Sequence, residues 1–202
     1  MKTDPINDAW DFLSGGTPDQ DALGHWRLFF VGLFLVLLAA SAIIALTRWL
    51  RDPEQRGLGR FLIWISRLLI GVMWFQGCLW KLPLPVSGAL QYWTEQMAAN
   101  AAYPFVADLV RDVALTHMAI VDPVVFGLEL ALAISFMLGV AVRPMAALGT
   151  LYALGLWLGL YRHPAEWPWE YLFLAATQLQ FAVYGAGRSL GLDAAGPRRR
   201  LR

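Results

Sequence analysis

A chain of 202 residues, 58% hydrophobic and only 15% charged, has too little polar surface for a soluble domain of its size. A formal net charge of +1 and the absence of a soluble motif argue against nucleic acid as a partner. The single cysteine, Cys78, excludes an intramolecular disulfide and any two-thiol redox mechanism, and reads as a small buried apolar side chain.

Residues 1–25 form a polar segment without the basic start, short apolar run and small-residue cleavage site of a secretory signal. Five apolar stretches follow: Trp26 to Leu50, Phe61 to Leu82, Pro123 to Val142, Met145 to Tyr161 and Trp169 to Ala186. Each is near the roughly 20 helical residues that cross a hydrocarbon core of about 30 Å, so each is read as a transmembrane helix. Pro53 and Gly57 break the first loop, Pro83 and Pro85 end the second helix, and Pro123 opens the third. Pro144 parts the third from the fourth, and Pro164 with Pro168 parts the fourth from the fifth. Segment 86–122 predicts two short amphipathic helices on the outer membrane surface. Ser87 caps the first, with Leu90, Trp93, Met97 and Ala101 near helical spacing; Phe105, Val106, Leu109 and Val110 mark the second. An interfacial anchor and a lid over a site both fit this pattern.

Charge sets the expected topology. Arg48, Arg51, Arg56 and Arg60 in the first loop, Arg143, and Arg188, Arg198, Arg199, Arg200 and Arg202 near the C-terminus fall on one side of a five-helix protein. The opposite side has Lys2, Arg27, Lys81, Arg111 and Arg162. The arginine-rich side is expected to be cytoplasmic, with the N-terminus outside. The basic tail, 194–202, then faces anionic lipid.

Ionisable and amide side chains within the apolar stretches are the candidate functional residues, because a charge deep in a bilayer is costly. They are Arg67, Gln76 and Lys81 on the second stretch, Glu129 on the third, and Gln178 and Gln180 on the fifth. At 1.5 Å per residue, Arg67 lies about 10 Å from the cytoplasmic start of its helix and Lys81 about 21 Å further on. Glu129 lies about 9 Å and Gln178 about 13 Å from the outer side. His163, Glu166 and Glu170 stand just above. Lys81 reads first as an interfacial anchor that snorkels outward, and Arg67 as a charge snorkelling to the inner leaflet. The glutamines read as interhelical hydrogen-bond partners. Glu129 has no such ordinary reading: it must be neutral, paired with Lys81 or Arg67, or facing a wet cavity. His117 and His163 read as surface histidines, and no metal, haem, flavin or iron–sulfur motif is present.

Arg67-Leu-Leu-Ile-Gly71 followed by Gly77-Cys-Leu-Trp-Lys81-Leu82 resembles the first core helix of the DoxX/DoxD family of small membrane proteins. Glu129-Leu130, Leu138-Gly139 and Arg143 resemble its next conserved pattern. Trp167-Pro-Trp169-Glu-Tyr171 and Gly185-Ala-Gly187-Arg-Ser-Leu-Gly-Leu-Asp193 resemble its closing helix and C-terminal motif. The resemblance covers residues 61–193 and leaves 26–50 as an additional N-terminal helix. It implies an all-α integral membrane protein: a four-helix DoxX-like bundle, one extra transmembrane helix, and amphipathic helices on the outer face. It further implies a subunit of a redox complex in a bacterial or archaeal cytoplasmic membrane, with DoxD-type members serving thiosulfate:quinone oxidoreductase. The partners would be the lipid bilayer and other subunits, and the cofactor a quinone. In that setting Glu129 would move a proton, Gln76 or Gln178 would bond a carbonyl, and Trp74, Phe75 or Trp80 would stack, with Lys81 and Arg67 nearby. A non-catalytic anchor that docks an extracytoplasmic redox partner is the alternative. A small transporter has less support, since no inverted repeat or paired broken helix is evident.

Overall fold

The structure is a computed structural model that describes residues 4–17, 20 and 23–195; among these the chain is helical throughout, without strands. Lys2, Arg198, Arg199, Arg200 and Arg202, and with them most of the basic tail, lie outside the described residues.

The segment read only as polar holds a helix, α1 (Pro5–Ser14). Asp4 caps it by accepting the Ile6 and Asn7 backbone N–H groups, each at 2.9 Å, and Gly15 ends it at φ 78°. These hydrogen bonds, that from Asn7 foremost, hold the Asp4 carboxyl below its ordinary pKa. Phe12 meets Phe34 edge-on at 4.8 Å, and Gln20 Nε2 donates to Phe12 O at 2.9 Å, so the segment is packed against α2 (Arg27–Arg51).

After α2 come α3 (Leu58–Leu79), α4 (Gly88–Asn100) and α5 (Pro104–Leu109). A π turn, Val110–Ala114, and a 3-10 turn, Leu115–His117, lead into α6 (Met118–Leu138). The chain ends with α7 (Val142–Gly159), α8 (Pro168–Tyr184) and the 3-10 turns Ala186–Arg188 and Leu192–Ala195. Ser87 caps α4 as expected, its hydroxyl accepting from Leu90 N. Pro123 does not open the third apolar helix but lies inside it, five residues after Met118. The stripe Val121, Val125, Glu129 carries on through the proline, and that continuity outweighs the one hydrogen bond the ring removes.

Among the described residues, three helical stretches are long and apolar enough to cross a membrane: Gly24–Arg51, Leu58–Leu79 and Pro104–Leu138. Helices α7 and α8, with 18 and 17 residues, are about 27 and 26 Å long. Outward-facing Leu28, Val36, Ile43, Leu62, Leu69 and Val183 give the bundle an apolar exterior, and a lipid bilayer is the solvent that suits it.

Helix α3 lies along α6, α7 lies along α8, and α2 packs on α6. Phe34, Phe75, Leu132, Phe136, Met137 and Phe181 form the core between them. Small residues set the spacing. A Cβ on Gly71 would lie 2.8 Å from Met137 Cγ and 3.2 Å from Ala133 O, so α3 and α6 approach closely only because the position is glycine.

The two ends of the bundle differ. At one end, residues 185–195 are clasped onto the other helices. Asp193 accepts the Ala141 and Val142 N–H groups at 2.8 and 3.0 Å, capping α7, while its own N–H donates to Gly139 O at 2.8 Å. Leu190 N donates to Gln55 Oε1 at 3.0 Å, and Arg60 Nη1 donates to Ser189 Oγ at 3.2 Å. Gly139 adopts φ 70°, and a Cβ there would lie 2.6 Å from Arg67 Nη1 and 2.7 Å from Gly191 Cα. At the other end α3 stops, α6 begins, α7 stops and α8 begins, and α4 lies across them around open space.

Candidate cavity site around Glu129

Helix α3 ends at Leu79, so Trp80 and Lys81 fall in the turn beyond it. The lysine therefore folds back inward across Gly77 rather than continuing outward along the helix. Its ammonium donates to Gly77 O at 2.8 Å, lies 2.6 Å from Glu129 Oε2, and stands 3.7 Å from the centroid of the Trp80 ring. Lys81 is 2% and Glu129 3% exposed. The snorkelling expected of Lys81 is thus not what the structure has: a buried carboxylate from α6 draws it in. Tyr152 of α7 donates its hydroxyl to Glu129 Oε1 at 2.8 Å. Two helices and the turn after α3 therefore contribute to one line, Lys81–Glu129–Tyr152. The pair of opposite charges offsets the desolvation that either would suffer alone.

This line borders a cavity of about 700 Å³. Gly77, Trp80 and Lys81 come from the end of α3, and Val121, Val125 and Glu129 from one stripe of α6. Leu151, Tyr152, Gly155 and Leu156 of α7 form the facing wall. Leu90, Trp93, Thr94 and Met97 of α4 roof the space, which gives that helix the geometry of a lid. The rim is polar: Tyr171 donates to Glu166 Oε2 at 2.8 Å, and Glu170 lies beside them. His163 sits against Trp93, ring centroids 5.3 Å apart.

The sequence candidates separate accordingly. Glu129, Lys81 and Trp80 line the cavity, as do Glu166 and Glu170. Gln178 and Trp74 stand behind its wall: Trp74 Nε1 donates to Gln178 Oε1 at 3.2 Å, and Gln178 Nε2 donates to Gly149 O at 3.2 Å. Trp74 also lies against Tyr152, ring centroids 5.4 Å apart. The interhelical reading of Gln178 is the one its hydrogen bonds match. Gln76 and Gln180 are exposed on the outside of the bundle, away from the cavity. Phe75 is core, 5.2 Å from Phe34. Arg67 lies at the clasped end, donating to Phe136 O and, at 3.4 Å, to Ser189 O. It is buried and not snorkelling, because the carbonyls it needs are inside.

Two participants escaped the sequence reading. Tyr152 sits seven residues before the end of α7, about 10 Å deep, and nothing in the sequence sets it apart from the other aromatics of its apolar stretch. Asp122 lies two turns before Glu129 on α6. It accepts the Ser87 N–H, while Ser87 Oγ donates to Trp80 O at 3.2 Å, so it anchors the loop that carries Trp80 and Lys81. Among the described residues, no group of three or more His, Cys, Asp or Glu side chains is placed to hold a metal ion.

No family model, curated protein or solved structure matches this chain.

Proposed function

We propose that the protein is the membrane subunit of a quinone-linked oxidoreductase, similar to thiosulfate:quinone oxidoreductase, and that the cavity above Glu129 receives the quinone ring. The observation that supports this reading is a buried ion pair bordering space rather than packed side chains. Ligand cavities are commonly about 300–1,000 Å³, apolar, with a few converging polar groups, and this one has that character. Its residues fit a quinone: Trp80 and Trp93 offer flat faces, and Lys81 and Tyr152 offer N–H and O–H donors to a ring carbonyl. The family resemblance over residues 61–193 points the same way.

Reduction of a quinone takes two electrons, from a partner subunit in this reading, and two protons. In this chain Lys81 and Tyr152 would donate to the ring oxygen, and Glu129, which touches both, would return protons to them. Glu166 and Glu170 at the rim would take protons from water. In the same reading five helices span the membrane, with the cavity end and N-terminus outside and the clasped end cytoplasmic, in a bacterial or archaeal cytoplasmic membrane.

The test is purification of the full chain with its native partners in mild detergent, followed by quinone reduction. Glu129→Gln, although it leaves Lys81 without its counter-charge and lowers stability, is expected still to insert and to lose roughly 10²–10⁴ in turnover per inserted protein, the usual contribution of a positioned proton donor or acceptor. Full turnover in that variant overturns the catalytic reading and leaves a subunit that only anchors its partner.

A further inference from the structure

The cavity has a second way out. Besides the polar rim at Glu166 and Glu170, its α7 wall includes Leu151, which is 68% exposed, and Gly155, also exposed. Leu151 lies eight residues before the end of α7, about 12 Å below the cavity end of the bundle. That depth is too far down to be part of the rim. A residue that both lines a cavity and faces the apolar exterior marks an opening through the side.

Two glycines on different faces of α7 differ in their surroundings. At Gly149 a Cβ would meet the Gln178 amide and lie 3.0 Å from Leu132 Cδ2, so α6, α7 and α8 close on one another there. Six residues further toward the cavity end, a Cβ on Gly155 would find nothing within 4 Å. Val121 and Val125, on the stripe of α6 that carries Glu129 and nearer the cavity end, also line the space and have no polar atoms in the side chain. The side opening is therefore apolar, while the inner end of the same space carries Lys81, Glu129 and Tyr152.

We infer that the seam between Val121–Val125 and Leu151–Gly155 is a lateral portal, through which a lipid-soluble amphiphile enters head-first from the bilayer and in which its hydrocarbon tail remains. This rests on the reading of the cavity as a quinone site and assigns its substrate class: quinones with a long apolar tail rather than free ring compounds. The polar rim passes protons and water; the portal passes the ligand. Gly155 is the specificity position, because it lines the cavity and a Cβ there meets nothing within 4 Å.

The experiment uses the full chain in lipid nanodiscs and two probes: a decyl-substituted benzoquinone and the same ring without a tail. Occupancy is read as the quenching lost when Trp80 and Trp93, two of the ten tryptophans, are both replaced by Phe. Gly155→Phe is expected to weaken the tailed probe by at least about tenfold, the loss that excluding roughly two methylene contacts produces. The tail-less ring, able to enter by the rim, should bind Gly155→Phe within about twofold of the unaltered protein, which is less than 0.5 kcal/mol. Leu151→Phe should show the same split, more weakly, and an unchanged melting profile confirms that both variants are folded. Equal weakening of both probes, or of neither, overturns the portal while leaving the quinone site standing. Failure of the unaltered protein to bind either probe overturns the quinone reading and the portal with it.

Discussion

The bundle buries a basic side chain at each end, and the two are treated in opposite ways. Arg67 is surrounded by backbone: it donates to Phe136 O and Ser189 O, Gly139 presses against it, and the 185–195 clasp closes over it. Lys81 is met by a carboxylate that a phenol holds from its other side, and beside them lies a cavity of about 700 Å³. Both are costly residues to place in a membrane, and on cost alone they rank equally. What separates them is the company they keep. A cation whose hydrogen bonds end on carbonyls is holding helices together. A cation paired with a titratable group beside empty space is available to something that is not part of the chain.

The sharpest way to break this contrast is to remove Lys81. Lys81→Met strands the Glu129 charge, and the cost is expected to be about 3–5 kcal/mol, the usual penalty for breaking a buried pair. Adding Glu129→Gln should restore most of it, as read by denaturant or thermal unfolding in detergent. If the double variant is as unstable as the single one, the pair is not coupled as its geometry requires. Gln178→Leu comes next, with an expected loss of roughly 1–3 kcal/mol because Trp74 Nε1 and Gly149 O would be left without their partner. Quinone binding should persist in that variant, since Gln178 lies behind the wall; abolished binding in a folded protein would move the boundary of the site. The smallest effect is expected at the clasp. Asp193→Ala removes the cap of α7 and should cost about 0.5–2 kcal/mol. Its signature should be faster proteolysis or hydrogen exchange around 139–142 with an unaltered cavity end, and loosening of α4 instead would contradict the independence of the two ends.

The sequence made the helices easy to find and the contacts hard. Long apolar runs flanked by Pro and Gly located α2, α3, α7 and α8 to within a few residues, because chain punctuation is local. Pro123 misled, since whether a proline starts a helix or sits inside it depends on the apolar stripe running through it. Depth arithmetic put Glu129, Lys81, Gln76 and Gln178 at comparable depths in the outer half but carried no rotation about the helix axis. Gln76 shares that level and faces outward; Gln178 shares it and is consumed by Gly149 and Trp74. Lys81 turned inward for a reason no single helix contains: α3 stops at Leu79, and the carboxylate that draws the lysine in lies on α6. Tyr152 looked like one more aromatic in an apolar run until α7 was set against α6.

The clasp also says something about how the molecule comes into being. Gln55 and Arg60 wait from early in the chain for Leu190 and Ser189, and the Gly139–Val142 turn waits for Asp193. Every one of those partners is made after the last long helix. During synthesis α2 to α7 are therefore made before these particular contacts can form. A chain stopped before residue 189 would lack the clasp and keep the packing of α3 on α6 and of α7 on α8.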